Sequence, residues 1–157
     1  MILRGMVVIF QRVFYVLTLG LLPPFASVSV LVWKDGKILM IDRVDGKGLG
    51  LPGGFVHMHE TSEQAAVRET LEETGIEVEI TGIVGVLSGR RRGTWIRSVD
   101  VIYAARPVGG QLKDSFEGRS LWIDPAVEKH RIAFDFADVI ESELKKMGVQ
   151  PGLGSRV

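Results

Sequence analysis

The sequence predicts an α/β domain of the α+β type, in which helices flank a mixed β-sheet. Three observations predict this class. Apolar and β-branched residues alternate in several segments, and the first two segments enclose the turn Lys34–Lys37 as a hairpin would. Two segments with helical periodicity, 63–74 and 134–147, follow the hairpin. The order hairpin, helix, strands and helix, within 157 residues, suits one domain with its own core.

Strands account for most of the predicted domain. They are expected at 25–33, 38–43, 77–88, 94–106 and 121–124, with a short glycine-bent strand or loop at 51–56. The segments 44–50 and 107–110 carry the glycine and proline residues of a loop and a turn, and 111–120 is a polar loop. Gly82 and Gly85 predict a bulge inside the strand 77–88.

The first helix, 63–74, has local signals at both ends. Thr61 at the N-cap and Gln64 three residues later match a capping box, and Gly75 suits a left-handed C-cap. The side of this helix that lacks acidic residues is expected to pack on the sheet and consists of Ala66, Val67, Thr70, Leu71 and Thr74. The second helix, 134–147, has an apolar side made of Phe136, Val139, Ile140 and Leu144.

Residues 1–24 form a separate apolar segment, followed by a domain at 25–147 and a loose, glycine-rich tail at 148–157. The run of residues 5–22 predicts a helix with a narrow polar stripe, made of Arg4, Gln11, Tyr15 and Thr18. Such a helix suits an apolar surface: its own domain, a second subunit in a homodimer, or the face of a membrane. A membrane span is borderline, because 18 residues reach roughly 27 Å and the central Arg12 is costly in lipid.

Composition excludes several classes of function. The chain has 19 basic and 19 acidic residues, so it has no overall attraction for nucleic acid, which is not expected as a partner. It has no cysteine, which excludes disulfides and thiolate metal sites. The segment before Gln11 is a poor secretory signal. A cytoplasmic location is therefore expected, with membrane association through residues 5–22 as the alternative.

A cluster of carboxylates lies on the first predicted helix. Glu69, Glu72 and Glu73 are spaced by three and four residues, so a helix places them on adjoining faces. Like charges at this spacing cost a few tenths of a kcal/mol per pair. A hard divalent cation would offset the repulsion, and magnesium usually shares its ligand shell with substrate phosphates and water. The cluster therefore predicts a metal site.

The cluster is part of a longer motif. Residues 54–76 match the pattern Gly-x5-Glu-x7-Arg-Glu-U-x-Glu-Glu-x-Gly-U, where U is apolar. The matching residues are Gly54, Glu60, Arg68, Glu69, Glu72, Glu73, Gly75 and Ile76. This pattern is the signature of the Nudix hydrolases, and the chain resembles that family over residues 25–147. The opening hairpin, the Leu-Pro-Gly-Gly run that ends at Gly54, and the later Glu117-Gly118 pair with Trp122 resemble the family's layout as well.

The resemblance implies a metal-dependent hydrolase and assigns roles to the motif. Glu69 and Glu73 are the principal metal ligands it implies, and Glu72 is a further one. Mg2+ is the expected ion, with Mn2+ as an alternative. The carbonyl of Gly53 or Gly54 is an expected backbone ligand.

Three further residues receive roles from the resemblance. Arg68 is expected to pair with a catalytic carboxylate and orient it; the alternative is a solvated helix arginine. Glu60 is expected either to bind the metal as an additional carboxylate or to support the metal ligands from behind; the alternative is a charge that compensates the helix dipole. Glu117 resembles a loop glutamate close to the metals in MutT-type relatives, and the alternative is a surface glutamate. The general base is expected either in this loop or in the motif. The expected catalytic residues are Glu69, Glu72, Arg68 and Glu117.

Two groups of residues are candidates for substrate binding. His57 and His59 depart from the common pattern, which has an acidic residue and a glycine there. They could bring imidazoles near the metal or the phosphates; the alternative is a tolerated loop substitution. The second group consists of Arg90, Arg91, Arg92 and Trp95. Its guanidiniums could bind a terminal phosphate and its aromatic ring could stack on a base; the alternative is a solvated loop.

The expected reaction is attack of a metal-activated water on a phosphorus of a nucleoside diphosphate linked to another moiety. Two substrate classes are left open. The Glu117-Gly118 pair resembles nucleoside triphosphate hydrolases, whereas the surroundings of Arg106-Pro107 and Ala133-Phe134-Asp135 resemble enzymes of ADP-ribose or nucleotide sugars. Two further alternatives are a non-catalytic domain that senses a nucleotide and a membrane-associated hydrolase of a lipid-linked diphosphate.

Overall fold

Four helices and seven strands make up the described part of the chain. The computed structural model describes residues 2–19, 24–90, 97–133 and 135–146. The helices are α1 (Ile2–Leu17), α2 (Ser62–Thr74), α3 (Pro125–Glu128) and α4 (Phe136–Lys146), with a 3-10 turn at Lys129–Arg131. The strands are β1 (Phe25–Lys34), β2 (Lys37–Arg43), β3 (Leu49–Gly50), β4 (Gly53–Phe55), β5 (Ile76–Arg90), β6 (Arg97–Gly110) and β7 (Gly118–Ile123).

The predicted mixed sheet flanked by helices is confirmed. Its strands follow the order β3-β2-β1-β6-β5, while β4 pairs with β1 and β7 pairs with β2. The sheet is mixed because β1 runs parallel to β6, whereas β1 pairs with β2 and β4, and β5 with β6, in the antiparallel sense. The bulges expected at Gly82 and Gly85 are present, as register shifts at both glycines.

Three predicted boundaries are wrong, and a short helix and a 3-10 turn were not predicted. The segment 44–50 is not all loop, because β3 at its end pairs with β2. The segment 107–110 is not a turn but the end of β6, which pairs with the start of β5 as far as Gly110 opposite Ile76. Strand β7 starts three residues earlier than expected, and a short helix and a 3-10 turn follow it.

Helix α2 covers one face of the sheet. Thr61 and Gln64 form the predicted capping box, and Gly75 adopts the predicted left-handed conformation with φ 73°. Its buried residues are Ala65, Ala66, Thr70, Glu73 and Thr74. The expectation that Leu71 packs on the sheet is wrong, since Leu71 is 40% exposed. Helix α2 is rotated so that an acidic residue, Glu73, faces inward together with small ones.

Helix α4 covers the opposite face. Phe136, Ile140 and Leu144 are buried there with Leu31 and Ile102 of the sheet, and Val139 packs against them. These are the residues expected on the apolar side of this helix. Each face of the sheet carries its own apolar cluster. The sheet is therefore the middle layer of a helix–sheet–helix domain.

Helix α1 leaves its described side chains exposed. Their burial is described for residues 6, 9, 10 and 12–17, and all of these are exposed. The expected packing of this helix on its own domain is therefore not seen for these side chains. Within the described ranges, no helix is both long enough and apolar enough to cross a membrane.

Candidate active site

The acidic face of α2 lies against β4, where two glycines leave room for it. Gly53 and Gly54 pair with β1. A methyl group placed on Gly54 would lie 2.4 Å from Oε1 of Glu69 and 2.6 Å from its Cδ. Real Cβ atoms do not approach other atoms this closely. The missing side chain at Gly54 therefore allows the carboxylate of Glu69 to lie against the backbone of β4.

Arg68 and Glu60 form a bidentate salt bridge at the side of this site. Nε of Arg68 donates to Oε2 of Glu60 at 2.9 Å, and Nη2 donates to Oε1 at 2.6 Å. Glu60 also accepts the backbone N–H of His57 at 2.8 Å. The Arg68 guanidinium first, and then the His57 N–H, lower the pKa of Glu60 to about 2. Glu60 is therefore ionised at neutral pH and anchors the guanidinium.

The same guanidinium reaches the acidic cluster with its remaining nitrogen. Nη1 of Arg68 lies 2.9 Å from Oε1 of Glu69 and 3.2 Å from Oε2 of Glu72. This contact offsets the like-charge repulsion expected from the spacing of the cluster. In the described parts of the chain, no three acidic or histidine side chains converge closely enough to hold an ion as they stand. In this arrangement Glu69 and Glu72 contact the guanidinium of Arg68.

Glu73 is the buried member of the cluster. It is 6% exposed, and its Oε2 accepts the backbone N–H of Gly53 at 2.9 Å. Burial, the largest cause, raises the pKa of its carboxyl to about 8. The charges of Glu117 and Glu69 act in the same direction, whereas the Gly53 N–H and the charge of Arg43 act against it. A nearby cation would therefore stabilise the ionised form of Glu73 and lower its pKa.

Glu117 approaches the site from the start of β7. Its Oε2 lies 3.8 Å from Nη1 of Arg43. Nε and Nη2 of the same guanidinium donate to Asp45. The next residue, Gly118, has no room for a side chain, because a methyl group there would lie 2.1 Å from the carbonyl oxygen of Asp42 on β2. The close pairing of β7 with β2 brings Glu117 near enough for its charge to raise the pKa of Glu73.

The predicted substrate-binding residues separate into two groups. His57 lies beside Glu60, with Nδ1 at 3.5 Å from Oε1, and its side chain is 67% exposed; His59 is also exposed. Arg91, Arg92 and Trp95 lie outside the described residues, as does the side chain of Arg90, the last residue of β5. Their roles stay predictions.

Two residues near the site were missed by the sequence analysis. Arg43 is one; its only signal is a basic residue at the end of a strand beside a glycine-rich loop. Thr70 is the other, and it corrects the match of residues 54–76, because the motif has an apolar residue at this position. Thr70 is fully buried, and its hydroxyl donates to the carbonyl oxygen of Ala66 at 2.7 Å. The hydroxyl is therefore satisfied inside the helix, and the substitution does not disturb the motif.

We expect Arg68→Lys to lower kcat about 10-fold, because one ammonium cannot bond Glu60 with two prongs and also reach Glu69 and Glu72. Steady-state kinetics with a diphosphate substrate would measure this. Arg106→Lys is the matched control, since Arg106 pairs only with Glu79 among its described contacts, and both side chains are more than half exposed. Equal kcat values for the two variants would contradict an orienting role for Arg68.

The donor set of the site fits a hard divalent cation. Its groups are the carboxylates of Glu60, Glu69, Glu72 and Glu73 and the backbone carbonyls of β4, all of them oxygen donors. Oxygen is the ligand atom that magnesium prefers. The raised pKa of Glu73, a buried acid beside other acids, is the second sign that a positive charge belongs here.

Comparison with known proteins agrees with the motif. The NUDIX domain family matches residues 23–145. A MutT-like protein of Streptomyces ambofaciens is 37% identical over 119 residues, which cover 73% of this chain and 75% of that protein. An ADP-ribose pyrophosphatase of Methanocaldococcus jannaschii is 32% identical over 127 residues, which cover 79% and 75%. A crystal structure of a NUDIX hydrolase from Nitrosomonas europaea superimposes with a TM-score of 0.70 at 26% identity, covering 83% of this chain and 76% of that one.

Proposed function

The chain belongs to the NUDIX domain family and is a pyrophosphohydrolase, and we propose that it hydrolyses the diphosphate bond of a nucleoside diphosphate linked to another moiety, such as ADP-ribose. Family members generally use divalent metal ions. The observation that carries the proposal is Glu73, a buried carboxyl with a raised pKa beside Glu69 and Glu117. A site that gathers carboxyl groups in this way can bind a polyanion only when a cation accompanies it.

We assign Mg2+ to this site, with Mn2+ as an alternative, held by Glu69, Glu72 and Glu73 and by a carbonyl of Gly53 or Gly54. When bound, the ion would supply positive charge to the phosphate oxygens and lower the pKa of a bound water. Glu69 reaches the backbone of β4 because Gly54 has no side chain. Arg68, anchored by Glu60, orients Glu69 and Glu72.

Glu117 is the proton acceptor that we propose. Its side chain is 30% exposed, so water can reach it, and it lies close enough to raise the pKa of Glu73. Glu72 is the alternative acceptor, but it is held by Nη1 of Arg68. In the reaction, the oxygen of water forms a bond to one phosphorus, the bridging P–O bond breaks, and the bridging oxygen leaves with the other phosphate. Glu117 takes the proton that the water loses.

ADP-ribose-like compounds are the first substrate candidates. The similarity to the M. jannaschii ADP-ribose pyrophosphatase extends over 79% of this chain and 75% of that protein. Nucleoside triphosphates are the second candidates, favoured by the Glu117-Gly118 pair at the start of β7 and by the similarity to a MutT-like protein.

A substrate panel with product identification tests both candidates. The purified chain is assayed with Mg2+ or Mn2+ on ADP-ribose, UDP-glucose and dGTP, and the products are separated by ion-exchange chromatography. We expect ADP-ribose to have the highest kcat/KM and to yield AMP and ribose 5-phosphate. Preferred cleavage of dGTP to dGMP and pyrophosphate would favour the second candidate. Binding of nucleotides without any hydrolysis would instead support a sensing domain and contradict the proposal.

A further inference from the structure

Helix α1 presents a broad apolar surface that the domain does not cover. Seven of its apolar side chains are between 38% and 71% exposed, and they are Met6, Ile9, Phe10, Val13, Phe14, Val16 and Leu17. Phe10 and Phe14 contact each other, with ring centroids 4.5 Å apart. Exposed apolar surface of this extent marks a site of contact with a protein or a membrane.

These seven side chains occupy one continuous sector of the helix. Their spacing of three and four residues, at 100° per residue, places them within an arc of roughly 160°. Arg12 and Tyr15 are three residues apart and lie outside this arc, on the polar side. A seam between two helices buries a narrower stripe, whereas the surface of a bilayer can accept the whole arc.

The charge of this segment differs from that of the remaining chain. Residues 1–24 contain two arginines, Arg4 and Arg12, and no acidic residue. Since the chain has 19 basic and 19 acidic residues, the rest keeps 17 basic and 19 acidic ones. The net positive charge of this segment complements an anionic lipid surface, where each basic residue strengthens binding.

We propose that α1 binds the surface of an anionic membrane, lying in the interface with its apolar arc among the lipids and its arginines at the headgroups. The helix has 16 residues, which reach roughly 24 Å, and this length suits a helix lying on a bilayer. The hydrolase domain is then held at the membrane surface, whatever diphosphate it cleaves.

Vesicle co-sedimentation of the full chain tests this proposal. Vesicles of phosphatidylcholine alone are compared with vesicles that also contain phosphatidylglycerol. We expect binding to the anionic vesicles, weakened by salt. The double variant Arg4→Gln, Arg12→Gln should lower the partition coefficient on anionic vesicles about 30-fold at low salt. The double variant Phe10→Asp, Val13→Asp should abolish binding, because it places two charges inside the apolar arc.

A matched control places the same charges elsewhere on the surface. Ile83 and Val108 are 65% and 54% exposed on the sheet, so Ile83→Asp, Val108→Asp should leave vesicle binding unchanged. Circular dichroism and the hydrolysis rate without vesicles should show that every variant is folded. Binding that survives Phe10→Asp, Val13→Asp, or that the control variant loses equally, overturns the proposal. Absence of binding of the wild-type chain to anionic vesicles also overturns the proposal. If sedimentation velocity then shows a dimer, and the Phe10→Asp, Val13→Asp variant is a monomer, α1 contacts a second copy of the chain instead.

Discussion

We expect Glu73→Gln to lower kcat by ~100-fold or more, because a metal-bound carboxylate supports charge stabilisation worth several kcal/mol. Gln keeps the size of the side chain, and its Oε1 can still accept the N–H of Gly53, which lies 2.9 Å from the carboxylate in the native protein. The fold should therefore survive. Steady-state kinetics at saturating Mg2+ would measure the loss, and isothermal titration would show weaker binding of the ion.

The same substitution should stabilise the metal-free protein at high pH. The pKa of Glu73 is about 8 in the folded chain, against an ordinary value near 4.5. The folded state therefore keeps this proton where the unfolded state loses it, so stability falls as pH rises from about 4.5 to 8. The full loss of stability is on the order of a few kcal/mol, since each unit of pKa difference between the folded and unfolded states corresponds to ~1.4 kcal/mol. Gln has no proton to lose, so the variant should escape this penalty.

Thermal unfolding in EDTA at pH 5 and at pH 8 separates the two effects. We expect only a small difference in melting temperature between the two proteins at pH 5, and a clearly higher melting temperature for Glu73→Gln at pH 8. Glu63→Gln is the matched control, since it removes a carboxylate from an exposed position in the first turn of the same helix. It should change neither kcat nor the pH dependence. Native kcat in Glu73→Gln would remove Glu73 from the ligands, and a lower melting temperature at pH 8 would contradict the burial argument.

The ends of α2 could be predicted from sequence because their signals are local. Thr61, Gln64 and Gly75 act within one turn of the helix, and all three have the expected geometry. The end of β6 could not be predicted in this way. Pro107 to Gly110 has the composition of a turn, but its partner is the start of β5, 29 to 34 residues earlier. A pairing over that distance overrides local preference.

The site shows the same division between local and distant causes. The spacing of Glu69, Glu72 and Glu73 locates the carboxylates on adjoining faces, but it does not say which of them is buried. That depends on β4 and β7, which lie against α2: Gly53 donates to the Glu73 carboxylate, and Ser120 donates to its backbone carbonyl at 3.1 Å. Two neighbouring carboxylates of one helix thus differ in exposure, 6% for Glu73 and 60% for the side chain of Glu72.

The two glycines of β4 should respond differently to the same substitution. A methyl group on Gly53 would lie 2.1 Å from the backbone oxygen of Val28. Neither strand can move without breaking the ladder between β1 and β4, so Gly53→Ala should destabilise the fold by a few kcal/mol. A methyl group on Gly54 meets instead the end of the Glu69 side chain, which can rotate away. The fold then survives, and the position of the carboxylate changes.

We expect Gly54→Ala to lower kcat about 100-fold with little loss of stability, since a displacement near 1 Å at a catalytic group can cause a loss of that size. Kinetics and thermal unfolding of the same preparation would measure both quantities. Gly82→Ala is the matched control, because nothing lies within 4 Å of its added methyl group. It should keep native kcat. If Gly54→Ala also keeps native kcat, the carboxylate of Glu69 does not need its place against β4. If it unfolds as readily as Gly53→Ala, the effect is on the backbone, and the assignment of Glu69 must rest on other variants.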